Sequence, residues 1–217
     1  MKKQVKKLKI NGTIIPNEYK KVYDHFGIDA TCPNDVLEAL GDDQDVTIQI
    51  NSGGGLVNAG QEIYHELTQR IGKVTIEVVW GGSAASLIAM AGDVVKMSPV
   101  GQMMIHNAAM VAEGDYQDMD HASYVLESTN KAIASAYQIK TGLDTNELLD
   151  LMNTETWLTA DEALEKGFVD EIMMTRKPTL EMVANVNAEI IPKKVINEFR
   201  EQQTKVEAKS PFERFVF

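Results

Sequence analysis

The stretch GGSAASLIAMAG, Gly81 to Gly92, decides how this chain folds. Two glycines open it, one closes it, and the residues between are small or apolar, with the hydroxyl of Ser86 among them. A helix that is apolar all round has no face to offer to water, so Ala84 to Ala91 is predicted to be a short buried helix. KVTIEVVW (Lys73–Trp80) precedes it as a strand, and Gly81–Gly82 turn the chain between the two. Upstream, VTIQIN (Val46–Asn51) alternates in the manner of a strand and is broken by SGGG (Ser52–Gly55). Ile63, Tyr64, Leu67 and Ile71 then recur at helical spacing from Gly60 to Ile71, and Gly72 is placed to end that helix. Downstream, DVVKMS and QMMIHN read as two strands separated by PVG (Pro99–Gly101). Repeated strand, glycine turn and helix make an α/β chain.

A serine hydroxyl becomes a nucleophile only when a base takes its proton and donors hold the oxyanion that forms. Ser86 lies in the first turn of the buried helix, near unpaired N–H groups and the positive end of the helix dipole. His106, at the end of the apolar run MMIH, is the candidate base. The structural alternative is that Ser86 simply bonds back to a backbone carbonyl, as serines in Ala-rich helices do. A histidine that closes a strand can equally be a satisfied polar residue. His25, His65 and His121 sit in polar or helical contexts and read as structural. Acidic residues and histidines are not clustered at metal-ligand spacing, and no cofactor is expected. SGGG is neither a Walker loop nor a dinucleotide fingerprint, and GGSAAS is not a G-x-S-x-G elbow.

The net charge of −11 would be −16 without Lys2, Lys3, Lys6, Lys7 and Lys9. That balance argues against a general nucleic-acid binder. The single cysteine, Cys32, permits no internal disulfide and fits a reducing cytoplasm. No apolar run is long enough to cross a bilayer, and no signal peptide follows the first lysines.

From Asp115 to Lys140 the chain lacks Pro and Gly and reads as one long helix. Met119, Val125, Leu126, Ile133, Ala136, Tyr137 and Ile139 form an imperfect apolar stripe on it, suited to pairing with another subunit. Short helices follow, with Asp144 or Thr145 as a cap and Thr159 with Glu162 as a capping box. Residues 1–175 are expected to form the main domain, and 176–217 a helical or partly disordered extension.

INSGGGLVNAGQEIY, GGSAAS followed by AG, MMIH and TWLTADEALEKGFVDEI, in that order, resemble the motifs of the Clp protease proteolytic-subunit family. The resemblance spans Val46 to Ile172. It implies an α/β spiral of strand–strand–helix units, shared with crotonases, with a protruding handle at about residues 111–140. It implies a serine endopeptidase with Ser86 as nucleophile, His106 as general base and the N–H groups of Gly55 and Leu87 as oxyanion hole. The third member is usually an aspartate two residues before an aromatic; Glu155 holds that place before Trp157, with Asp150 as competitor. Gly53 replaces a usual proline, and Asn107–Ala108 a usual QP. The implied partners are protein or peptide substrates and other copies in a ring, or in stacked rings. YDHFGIDATCPNDVLEAL and ETWLTADEA look like the phage and prophage branch, which implies capsid or scaffold protein as substrate; an AAA+ ATPase partner is the other option. A crotonase-type acyl-CoA enzyme and a catalytically silent assembly ring are the alternative functions.

Overall fold

Val46, Ile48 and Ile50 are buried on one face of β3 (Val46–Gly55), while Thr47 and Gln49 look the other way half-buried. That alternation makes β3 a central strand with one dry face. The computed structural model describes residues 5–40 and 44–174, and Phe199 beyond them. Within these residues β1 (Lys6–Ile14), β2 (Ala30–Thr31), β4 (Val74–Gly82), β5 (Val94–Ile105), β6 (Thr156–Thr159) and β7 (Glu171–Ile172) join β3. The order is β2-β1-β3-β4-β5-β6, with β7 also on β5. Every pairing is parallel except β5 with β6. Ile10, Ile48, Ile50, Ile76 and Val78 supply the dry face, each fully buried. The helices are α1 (Lys20–His25), α2 (Pro33–Leu37), α3 (Val57–Thr68), α4 (Ala84–Ala89), α5 (Tyr116–Thr141), α6 (Thr145–Asn153) and α7 (Ala160–Glu165). This is the α/β architecture expected.

Three register shifts lie side by side across the sheet. They fall between Asn11 and Thr13 on β1, between Ile50 and Asn51 on β3, and between Val78 and Trp80 on β4. A bulge bends a strand and re-aims the residues beyond it. The glycine-rich strand ends therefore form a segment of their own above this line. The two strands expected around PVG are one strand, β5, whose first part pairs Thr75–Val78 and whose last part pairs Trp80–Gly82. Pro99 and Gly101 sit where the register jumps, where a missing N–H or side chain costs the ladder little.

Two helices differ from expectation, α3 in its end and α5 in its burial. α3 ends at Thr68, not at Ile71, because the Thr68 hydroxyl donates to the His65 carbonyl at 2.7 Å and closes the last turn. Ile71 is left 87% exposed, and Gly72 is not the cap. α5 matches its predicted span, but only Ile133, Ala134, Ala136 and Tyr137 are buried on it. Met119, Val125 and Ile139 of the predicted stripe are exposed. The buried end of α5 is pinned by Lys140, whose ammonium lies 2.6 Å from Asp170. The same Asp170 oxygen accepts the Val95 N–H at 2.7 Å. The extension expected for 176–217 lies outside the described residues, Phe199 apart.

The N-terminus of α5 is held by Asp115, whose carboxylate accepts from the N–H groups of Gln117 and Asp118, while Asp118 reaches back to the Asp115 N–H. Asp115→Ala should cost about 1 kcal/mol of local helix stability. Hydrogen exchange of the amides at 116–119 should quicken, while amides at 133–137 keep wild-type protection.

Candidate active site

β4 and β5 run parallel up to the pair Gly82–Met104. Ser83 directly follows β4, and its N–H donates to the Met104 carbonyl at 2.8 Å. There the chain turns sharply into α4, and Ser83 takes φ 54° and ψ −123°. A non-glycine residue in such a conformation stores about 1–3 kcal/mol and persists only when its neighbours fix it. A strained strand-to-helix turn of this kind lifts a side chain clear of the backbone, which is the principle of a nucleophile elbow. β5 ends one residue before His106. The imidazole Nε2 of His106 lies 2.7 Å from the Ser83 hydroxyl.

The structure therefore pairs His106 with Ser83, and not with Ser86 as expected. Ser86 is fully buried on α4, and its Oγ donates to the Ser83 carbonyl at 2.7 Å. Its other partner among the described residues is the Tyr137 hydroxyl, also at 2.7 Å. One helical turn separates the two serines, and that turn carries Ser86 into the core. Leu87, expected in the oxyanion hole, is also turned inward. Its N–H is committed to the Ser83 carbonyl at 3.2 Å. The first-turn N–H groups without an intrahelical acceptor begin at Ala84.

The glycine turn after β3 packs directly on this elbow. A side chain on Gly54, which has φ +100°, would fall 2.7 Å from the Gly82 carbonyl and from the Ser83 Cβ. Only glycine lets the two turns approach so closely. Ser52 fixes the turn: its hydroxyl donates to the Gly12 carbonyl and accepts the Gly54 N–H at 3.1 Å. Gly55 follows at the strand end, against Ile14 of β1. Beside Ser83 and His106 lies a small apolar hollow lined by Val57, Ala84, Leu87, Ala108, Ile133 and Tyr137.

Glu155 stands close to the expected place but is turned away. The last pair of β5 and β6 is Ile105 with Thr156, so His106 and Glu155 are the next residues on each side. Glu155 has φ 48°, and its carboxylate accepts the Trp157 indole N–H at 3.2 Å. The Asp150 carbonyl caps α6 by accepting from Thr154. Among the described residues no hydrogen bond joins Glu155 or Asp150 to His106. No group of three His, Cys, Asp or Glu is placed to hold a metal ion among those residues either.

Tyr137 was not anticipated as part of the site. It is the largest of the fully buried side chains and packs edge-on against Phe168 at 5.6 Å. Burial drives its phenol far above the ordinary tyrosine value of 10.0. The folded state thus keeps the Tyr137 proton at a pH where the unfolded chain has lost it. With fewer protons bound in the unfolded state, stability falls as pH rises above about 10. Phenolate absorbance should show Tyr137 ionising only together with unfolding, and Tyr137→Phe should remove that late step.

The Clp protease family model matches residues 34–176 of the 217. An ATP-dependent Clp protease proteolytic subunit 1 from Corynebacterium glutamicum is 29% identical over 184 residues, covering 76% of this chain and 88% of that protein. An ATP-dependent Clp protease proteolytic subunit from Bacteroides fragilis is 29% identical over 143 residues, covering 64% of this chain and 69% of that protein.

Proposed function

The chain belongs to the Clp protease family, and from that premise we propose that it is a serine endopeptidase with Ser83 as nucleophile and His106 as general base. The observation that carries this reading is the 2.7 Å contact between Ser83 Oγ and His106 Nε2 on a strained turn. His106 takes the Ser83 proton as Oγ bonds to the scissile carbonyl carbon. The carbonyl oxygen becomes an oxyanion held by the N–H groups of Ala84 and Gly55. The carbon–nitrogen bond then breaks, and His106 returns the proton to the leaving amine. Water, deprotonated by the same imidazole, hydrolyses the acyl-enzyme and frees Ser83. The apolar hollow beside the pair receives a substrate side chain.

Glu155 is the orienting acid in this proposal. Its position across the strand pair from His106 supports that role, which requires the side chain to leave Trp157 and turn to Nδ1. The substrate is protein. The sequence likeness to the phage and prophage branch favours capsid or scaffold protein trimmed during prohead maturation, over unfolded chains fed by an AAA+ ATPase. The acting form is a ring of copies in the cytoplasm. Val111, Tyr116 and Tyr124, exposed on and before the outer part of α5, support self-association through that helix.

Four variants test the chemistry by fluorophosphonate labelling. Ser83→Ala should abolish the adduct, since losing a nucleophile costs about 10⁶ in rate. Ser86→Ala should keep it. Glu155→Gln should slow labelling by about 10² or more, because the tautomer is no longer held. Asp150→Asn should stay within about twofold of the wild type, as an exposed residue outside the constellation. Labelling of Ser83→Ala at the wild-type rate would sink the assignment, and a normal Glu155→Gln would reduce the site to a dyad. Light scattering should give a multiple of the 24.0 kDa chain, and Tyr124→Glu should lower that mass.

A further inference from the structure

Ser86 and Tyr137 form a buried chain of hydroxyls that ends on the nucleophile's own peptide group. Ser86 has one hydroxyl hydrogen, and it goes to the Ser83 carbonyl at 2.7 Å. The 2.7 Å contact between Ser86 and Tyr137 must then be donated by the phenol. The order is fixed: Tyr137 O–H to Ser86 Oγ, Ser86 O–H to Ser83 carbonyl. Ser86 is 0% and Tyr137 1% exposed, so water cannot replace either partner.

The Ser83 carbonyl and the Ala84 N–H belong to one planar peptide. Fixing the carbonyl fixes the direction of the N–H. Three donors reach that carbonyl: the Ser86 N–H at 2.9 Å, the Leu87 N–H at 3.2 Å and the Ser86 hydroxyl, which is the closest. The backbone at Ser83 is strained and would relax by rotating this same peptide. We infer that Ser86 and Tyr137 are a positioning pair that locks the Ser83–Ala84 peptide, so that the Ala84 N–H stays aimed at the developing oxyanion. The inference rests on the reading of Ser83 as nucleophile. Neither Ser86 nor Tyr137 exchanges a proton with substrate; both act through the Ser83 carbonyl.

A double-mutant cycle separates positioning from packing, because the two roles move stability and rate differently. Ser86→Ala removes the bond to the carbonyl and strands a buried phenol, so both Tm and labelling rate should fall. The rate loss should be about tenfold, the equivalent of one net hydrogen bond. Tyr137→Phe keeps the ring against Phe168 and leaves Ser86 free to rotate, and should slow labelling by about threefold. In the double variant no hydroxyl is stranded. Its Tm should recover towards that of Tyr137→Phe, while its labelling stays about tenfold slow. With a peptide substrate the deficit of Ser86→Ala should lie in kcat, with KM and the pH profile unchanged, since Ser86 lines no part of the hollow and the His106 base is untouched. A double variant that regains wild-type rate along with its Tm would overturn the pair and leave Ser86 and Tyr137 as packing residues. So would a Ser86→Ala variant with unaltered labelling rate. Mass spectrometry of the labelled wild type keeps the two readings apart. An adduct on Ser83 with wild-type rates in the variants fails the pair alone; an adduct on Ser86 fails both.

Discussion

The constraint on which the site depends is the backbone of Ser83. A non-glycine residue at φ 54° is unfavourable by itself, and nothing in the Ser83 side chain relieves it. The relief comes from three directions. The Met104 carbonyl holds its N–H, α4 and Ser86 hold its carbonyl, and Gly54 leaves room for the turn. Each element that supplies one of these also supplies part of the chemistry. β5 carries Met104 and leads directly into His106; the glycine turn carries Gly54 and Gly55. The strain and the constellation are thus two results of the same packing.

Much of this was legible in residues. The alternation of Val46, Ile48 and Ile50 marked a strand, and the absence of polar residues from Leu87 to Ala91 marked a buried helix; both stand in the structure. His106 stands out because an apolar strand runs out at a titratable side chain, and the structure sets its Nε2 2.7 Å from the Ser83 hydroxyl. Ser86 stands out in the sequence because it falls in the first turn of a buried helix, while the structure sets Ser83 beside His106. The signal for Ser83 is already in the stretch. A helix buried on all sides hides every residue within it, so an accessible hydroxyl belongs at the turn, directly after Gly82. The Leu87 N–H, like the Ser86 hydroxyl, is turned to the Ser83 carbonyl. The position of Glu155 was legible, but its rotamer was not, because that depends on an indole two residues away.

The line of register shifts explains why glycines gather where they do. Below it, β1, β3, β4 and β5 are ordinary parallel strands whose buried side chains are β-branched apart from Met97 of β5. Above it, Gly53–Gly55, Gly81–Gly82 and Gly101 replace side chains with backbone. Gly101 shows the reason plainly: a Cβ there would sit 2.8 Å from the Val79 carbonyl. The upper segment is assembled from main chain against main chain. That is the material an oxyanion site requires, since amide N–H groups are donors whose position is set by the fold itself.

Tyr137 lies between two anchors on α5. On one side Ile133 and Ala134 are sunk in the core, and on the other Lys140 is tied to Asp170 and through it to β5. A rod clamped at two points bends outside the clamp and keeps its slope within it. α5 has 26 residues, so its length is about 39 Å, most of it on the far side of Ile133. Deflection of that outer arm, by a neighbour or by thermal motion, dies away at the first anchor. The phenol that faces Ser86 is mechanically insulated from the part of the helix most open to other molecules.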